Sequence, residues 1–170
     1  SGISRGYDLW DDAIEPEKAG LPMNRVQRSG LRSAAILNTW IDTQKASPFL
    51  AFLHVYEPHS PYEPPEPFRS RYAHPYDGEV AAADAVVGEL IGRLKALGLY
   101  EKSLVVFLSD HGEGLGEHGE NEHGVFLYRE SLQVPLLVKL PGNALAGTTV
   151  SAPVQISDVF ATVVAAVGAK

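Results

Sequence analysis

Acidic and imidazole side chains crowd one stretch of the chain, residues 103–124, which opens with the apolar run Leu104–Leu108. Asp110 and His111 follow this run, where a strand would give way to a loop. The loop carries further glutamates and histidines without a lysine or arginine: Glu113, Glu117, Glu120, Glu122, His118 and His123. Carboxylates this close repel one another unless a cation lies among them, and mixed oxygen and nitrogen donors suit a divalent metal. The stretch therefore indicates a metal site, although a plain turn followed by a solvated acidic loop has the same composition.

A second polar segment follows the apolar run 49–55 and contains His59 between two prolines. Ligands bind at the carboxyl ends of strands in open α/β sheets, so two such strand ends would bring His59 beside Asp110 and His111, with His123 supplied by the loop. Because histidine titrates near neutral pH, these imidazoles could bind an oxyanion or protonate a leaving group. His59 has a plainer alternative, a hydrogen bond within its proline-rich turn.

The other polar candidates have ordinary structural explanations beside the chemical ones. His54 lies inside an apolar run and is predicted to be a hydrogen-bonded core residue, whereas His74 is predicted to lie on the surface. Glu113 and His118 either support the metal ligands or are simply solvated. Lys139 lies within an apolar run and is predicted to face an edge and not to act in catalysis.

Alternating helical and extended patterns are expected to position these residues. Helical spacing of apolar residues predicts four helices, over residues 26–41, 78–97, 126–133 and 157–167. The first of these is predicted to be capped by Asn24 and to end before Ser47. Short apolar runs predict three strands, at residues 49–55, 103–109 and 134–140. Strands that alternate with helices predict an α/β fold with a largely parallel sheet and helices on both faces.

The composition narrows the possible classes of function. With 45% apolar and 21% charged residues, the 170-residue chain has an ordinary globular composition and is long enough for one domain with its own core. A formal net charge of -7 argues against nucleic acid as a partner, because nothing here would neutralise phosphates along a duplex. The absence of cysteine excludes disulfides, thiolate metal ligands and a cysteine nucleophile. No apolar run reaches the length of a membrane span.

Four motifs in the same order resemble those of the sulfatase family, within the alkaline phosphatase superfamily. The segment Phe52–Tyr62 is similar to one in which a histidine follows an acidic residue and a proline after a core strand. The motif Ser109–Glu113, Ser-Asp-His-Gly-Glu, resembles the family's second pair of metal ligands. Ser131–Leu136 resembles the segment that follows this pair, and Gln155–Gly168 resembles a helix near the end of the catalytic core. The resemblance extends over nearly the whole chain.

This resemblance implies a three-layer α/β/α sandwich that hydrolyses sulfuric or phosphoric esters with a metal-activated covalent nucleophile. Asp110 and His111 match the positions of ligands to one divalent ion, which could be Ca, Mn or Zn. His59 and His123 are the implied catalytic and substrate-binding residues, acting on a small-molecule, glycan or lipid ester. His123 falls where many sulfatases have an anion-binding lysine. A histidine there is more similar to the phosphotransferase branch, such as phosphoethanolamine transferases and lipoteichoic-acid synthases.

The family's nucleophile is not identifiable in this sequence. A sulfatase uses a cysteine or serine in a C/S-x-P-x-R setting, and the nearest match, Ser151–Gln155, lacks the arginine and follows the metal pair instead of preceding it. We therefore expect residues 1–170 to be a single partial domain, the C-terminal portion of a catalytic domain whose N-terminal half is absent. Such a piece is expected to be inactive alone and to self-associate through an open sheet edge.

Two other functions remain open from the sequence. The chain could be a fragment of a phosphoryl-group transferase of the phosphoethanolamine or phosphoglycerol type, which His123 favours. It could also be a non-catalytic module that binds a metal or an anion. The compartment is not fixed by the sequence, although members of the family are often periplasmic, extracytoplasmic or membrane-anchored.

Overall fold

The computed structural model describes residues 4–14, 26–44 and 47–168, which divide between the units Ser1–Arg93 and Leu94–Lys170. The helices are α1 (Gly30–Thr43), α2 (Phe68–Arg71), α3 (Pro75–Ala96), α4 (Arg129–Leu132) and α5 (Asp158–Val167), and the strands are β1 (Val105–Leu108) and β2 (Leu136–Lys139). Short 3-10 turns occupy Tyr100–Lys102 and Pro141–Asn143. The helical and extended patterns of the sequence thus predicted most of these elements. The predicted and observed ends differ by a few residues.

The buried aliphatic residues described in the first unit lie on α1 and α3: Ala34, Ile41, Ala82 and Val86. Helix α1 begins at Gly30, where the backbone lies close to two valine side chains. A Cβ at this position would lie 2.9 Å from Cγ1 of Val55 and 3.1 Å from Cγ2 of Val86. The N–H of Gly30 donates to Oε1 of Glu57 at 3.0 Å, so this carboxylate caps the helix from a distant part of the sequence. The predicted cap, Asn24, lies outside the described residues.

Residues 49–55 form no strand in the part of the chain that the structure describes, so the strand predicted there is wrong. Their backbone has no hydrogen-bonded neighbouring strand in the described sheet, and an apolar run becomes a strand only when a partner takes up its N–H and C=O groups. The side chains of Leu50 and Phe52 are 70% and 68% exposed. His54 is likewise exposed, so the prediction that it is a core residue is wrong.

The sheet of the described residues is a single antiparallel pair, and in this it differs from the parallel pairing that was expected. Strands β1 and β2 pair from Val105 opposite Lys139 to Leu108 opposite Leu136. After β1 the chain turns back through α4, where the N–H of Gly112 donates to the carbonyl of Ser131 at 2.9 Å. Strand β2 therefore begins beside the end of β1 and runs back along it.

Lys139 stabilises the β1–β2 pair at the end where β1 begins and β2 ends. Its ammonium group donates to the carbonyl oxygens of Tyr100 and of Ser103, the latter at 3.1 Å, and it lies 4.4 Å from the centre of the Tyr100 ring. Hydrogen bonds to two carbonyls and a cation–π contact give this lysine a structural role at the strand end. The prediction that Lys139 lies at an edge is consistent with these contacts.

The helices were the best predicted elements. Helix α3 was expected over residues 78–97 and runs from Pro75 to Ala96, while α5 begins at Asp158 and ends at Val167 as expected. Within the described ranges, no helix combines the length and the apolar composition that crossing a bilayer requires.

Candidate functional site

A buried carboxylate shapes the segment that carries His59. Glu79 of α3 is only 3% exposed, and its oxygens accept the backbone N–H groups of His59 at 3.1 Å and of Glu63 at 2.8 Å. Burial raises the pKa of Glu79 above its ordinary value of 4.5, because it disfavours the charged form, and the two N–H groups counteract this in part. The position of His59 is therefore fixed by a residue from a different element.

The His59 ring is anchored through Nδ1. This atom lies 2.6 Å from the carbonyl oxygen of Ser60 and 3.0 Å from the hydroxyl of Tyr56, whose ring centre is 4.4 Å away. A carbonyl oxygen can only accept, so Nδ1 donates and the neutral ring carries its lone pair on Nε2. The hydrogen bond within the turn that was the plainer interpretation of His59 is present, and any chemistry would use Nε2.

Asp110 and His111 follow β1 directly, with their side chains adjacent. Nε2 of His111 lies 3.8 Å from Oδ1 of Asp110, and Nδ1 lies 2.8 Å from the carbonyl oxygen of Gly112. Nδ1 therefore donates, and Nε2 carries the lone pair that a metal ion takes, with the backbone carbonyl fixing the ring as it does in many metal sites. Because metal–ligand bonds are about 2.0–2.4 Å long, two neighbouring donors lie about 3–4 Å apart, so this pair fits two positions around one ion.

Backbone N–H groups donate hydrogen bonds to two carboxylates of the acidic loop. Glu117 accepts the N–H of Leu115 at 2.7 Å, and Glu120 accepts the N–H of Val125 at 3.0 Å. The backbone N–H groups of Glu117 itself and of Leu115 lower the pKa of the Glu117 carboxyl. These contacts relieve the repulsion that suggested a cation. No group of three or more metal-ligating side chains surrounds one position within the described ranges, so Asp110 and His111 stand as a pair.

His123 lies directly against His111. The two imidazole rings stack with their centres 3.8 Å apart and their planes inclined by 28°. Nδ1 of His123 lies 2.8 Å from Oε1 of Glu113, whose side chain is only 6% exposed. The second unit thus contains three of the four predicted site residues, with His111 in contact with both Asp110 and His123, whereas His59 belongs to the first unit.

The two residues whose role the sequence left open behave differently. Glu113 is buried against His123 and is not solvated. His118 is half-exposed, stacks on Tyr128 with ring centres 4.1 Å apart, and turns its Nε2 toward Glu130 at 3.5 Å. Neither Glu79 nor the orienting role of Glu113 was found from the sequence, because an isolated glutamate gives no signal of which backbone or ring atoms the fold will bring to it.

Residues 17–169 match the family model described as Sulfatase. The chain belongs to the sulfatase family. The resemblance found in the four sequence motifs is thereby confirmed, and Asp110, His111, His123 and His59 all lie within the matched range.

Several curated sulfatases resemble parts of this sulfatase-family chain. The ulvan-active sulfatase of Formosa agariphila is 30% identical over 150 residues, covering 72% of this chain and 29% of that protein. The steryl-sulfatase of Mus musculus is 35% identical over 139 residues, covering 74% of this chain and 22% of that protein. The chain therefore spans less than a third of the length of these relatives.

Solved structures of similar fold also cover most of the chain. The protein Ps i-CgsB, crystallised in complex with k-i-k-neocarrahexaose, superposes with a TM-score of 0.70 at 26% identity, over 83% of this chain and 34% of that one. The protein yidJ from Bacteroides fragilis gives a TM-score of 0.62 at 23% identity, over 69% of this chain and 33% of that one, and this likeness concerns the fold alone. The fold class is accordingly α/β.

Proposed function

We propose that this chain forms part of a metal-dependent hydrolase of sulfuric esters. Asp110 and His111 bind one divalent ion, Ca, Mn or Zn. His123 contacts the anionic oxygens of the ester through Nε2, and a contact of His59 with the ester is proposed from its sequence motif alone. The observation that carries the proposal is the contact of Asp110, His111 and His123 at the end of β1, in a chain whose family is that of the sulfatases.

Each side chain has a distinct task in this proposal. A divalent ion, when bound, supplies Lewis-acid polarisation of an ester oxygen. His123 presents Nε2 beside the metal pair and stabilises negative charge there by hydrogen bonding when this nitrogen carries a proton. His59, anchored through Nδ1, uses Nε2 to hold the ester or to return a proton to the leaving group.

The architecture belongs to the same proposal. In the whole catalytic domain, this chain contributes the C-terminal portion of a three-layer α/β/α sandwich with a largely parallel sheet. The superposition on structures that are about three times as long as the matched part supports this, because this chain covers only 33% and 34% of them. The single partial domain expected for residues 1–170 remains a prediction.

The relatives favour sulfate over phosphate as the ester group. The phosphoryl-transferase alternative depended on His123 in place of a lysine, whereas the similar curated proteins are named as sulfatases. Their names include both an ulvan-active and a steryl enzyme, so the choice among small-molecule, glycan and lipid esters stays open. A non-catalytic module that binds metal or anion through the same residues is the remaining alternative.

Calorimetric titration of the full chain with Mn, Zn and Ca tests the metal site. We expect at least one ion to bind, and Asp110→Ala to weaken that binding by about tenfold or more, because one of two donors is lost. Asp84→Ala removes an exposed carboxylate of α3 and serves as the matched control, for which unchanged binding is expected. Equal titration curves for the wild type and Asp110→Ala would refute the assignment.

A further inference from the structure

Glu113 carries a buried carboxylate beside the candidate site, and the proposed function gives this carboxylate no role. The side chain of Glu113 is 6% exposed, and its Oε1 lies 2.8 Å from Nδ1 of His123. Removing a carboxylate from water is costly, so one buried to this extent is normally matched by a strong donor. An imidazole N–H at this distance is such a donor, in a charge-assisted geometry.

The His123 ring has a second constraint from its flat face. It stacks on His111 with centres 3.8 Å apart, which restrains the tilt of the ring but not which edge points to Glu113. Turning the ring over would place a carbon in front of the carboxylate in place of Nδ1 and would lose the hydrogen bond. The carboxylate and the stack together therefore select one orientation.

This orientation decides which ring nitrogen of His123 lies on the side away from Glu113. With Nδ1–H donated to a carboxylate, the nitrogen on the opposite side is Nε2. In the neutral ring Nε2 carries the lone pair, and in the charged ring it carries an N–H. The orientation is the same in both forms, so it does not depend on how His123 titrates.

We propose that Glu113 is a positioning residue, which holds the His123 imidazole with Nδ1 inward and Nε2 toward the ester. The inference rests on the proposed function of His123 and deepens it. His118 provides the contrast within the same loop, since its carboxylate partner Glu130 lies on the Nε2 side. A histidine held in that way cannot present Nε2, and His118 has no assigned part in the site.

Nitrogen NMR of the histidine side chains in the full chain reads the orientation directly. In the neutral ring of wild-type His123, we expect the proton on Nδ1. Glu113→Ala should shift the proton toward Nε2, which an unrestrained imidazole prefers, and Glu113→Gln should retain Nδ1–H because its amide oxygen still accepts. Glu117→Ala, which removes an exposed carboxylate of the same loop, should leave His123 unchanged. A proton on Nε2 in the wild type, or no difference between Glu113→Ala and the wild type, would overturn the proposal.

Titration with inorganic sulfate separates this inference from the proposed function. In the charged form of His123 both ring nitrogens carry a proton, so sulfate binding depends on whether the ring is held with Nε2 toward the anion. Glu113→Ala and Glu113→Gln remove the same negative charge, but only glutamine keeps an acceptor for Nδ1–H, so we expect sulfate to bind the charged form of the alanine variant about three- to tenfold more weakly than that of the glutamine variant. Equal affinities of the two variants would count against positioning. If the ring orientation changes as expected but sulfate leaves wild-type His123 unperturbed, Glu113 keeps its positioning role and the anion contact of His123 is refuted.

Discussion

Three histidines that the sequence singled out are anchored through the same ring atom. Nδ1 of His59, His111 and His123 lies 2.6, 2.8 and 2.8 Å from a protein oxygen, which is a backbone carbonyl for the first two and a carboxylate for the third. Each ring is thereby oriented with Nε2 on the opposite side. Pre-oriented groups lose less conformational freedom when a ligand arrives, so these anchors would favour the roles proposed for all three histidines.

Gly112 is the residue on which the geometry of the loop after β1 depends most. A Cβ at this position would lie 1.9 Å from the carbonyl oxygen of Glu130, so Gly112→Ala must displace backbone. We expect the free energy of unfolding to fall by about 1–3 kcal/mol, with loss of the hydrogen bond from Gly112 to Ser131. Urea unfolding followed by circular dichroism measures this change.

Gly88→Ala is the control for that substitution. A Cβ on Gly88, which lies on α3, would meet nothing within 4 Å. Alanine is the better helix former, so the control should be neutral or stabilising by up to about 1 kcal/mol. Similar losses of stability in both variants would contradict the close approach inferred at Gly112.

At the scale of helices and strands, the sequence predicted the elements whose formation depends on the local pattern of residues. Helices α3 and α5 and strands β1 and β2 follow from spacing and from short apolar runs. The antiparallel direction of β2 depends on the return through α4, a tertiary contact that no local pattern encodes. The run 49–55 was misassigned because its apolar residues would suit a strand, while the described chain offers it no partner.

In the candidate site, too, local sequence patterns are informative and tertiary contacts cannot be predicted from them. The sequence singled out Asp110, His111 and His123 because acidic and imidazole residues in a strand-end loop are unusual, and their roles stay predictions. Glu79 and Glu113 were not found in their orienting roles, since each acts on a partner that only the fold brings near. The residue types were predictable, and the orientation of their rings was not.

The link between α3 and the His59 segment should respond to pH. Burial raises the pKa of Glu79 above 4.5, so the folded chain holds this proton more tightly than the unfolded chain. Its contribution to stability is fully present below pH 4.5 and is lost as pH rises through the higher folded-state pKa. Glu79→Gln has no such proton, so the wild type should lose stability relative to this variant across that window.

Unfolding free energies from about pH 4 to pH 7 measure this effect. Glu89→Gln, on the exposed side of the same helix, is the matched control and should follow the wild type. A difference between wild type and Glu79→Gln that stays constant with pH would contradict the raised pKa.

At the scale of the whole molecule, the chain exposes many large apolar side chains. Five of the most exposed are Leu50, Val125, Leu127, Val150 and Phe160. Apolar surface of this extent favours association, and the self-association expected from an open sheet edge stays a prediction. The chain also spans less than a third of the length of the curated sulfatases that it resembles.

We expect the 170-residue chain alone to give no turnover of 4-nitrophenyl sulfate or phosphate with Mn, Zn or Ca. None of its residues fits the motif of the covalent nucleophile, and a metal pair without a nucleophile does not complete this chemistry. The measurement is the release of 4-nitrophenol, and the same metal in buffer without protein is the control. Turnover that requires the metal and disappears in Asp110→Ala would show that the nucleophile is present after all.

The cap on α1 has a consequence for the order in which the chain folds. The first N–H of this helix is satisfied by Glu57, 27 residues further along, so its first turn cannot be completed by local contacts. Closing a loop of this length must come before the contact is formed. We therefore expect the turn at Gly30 and the segment that carries His59 to become ordered together, so that damage to either slows the appearance of both.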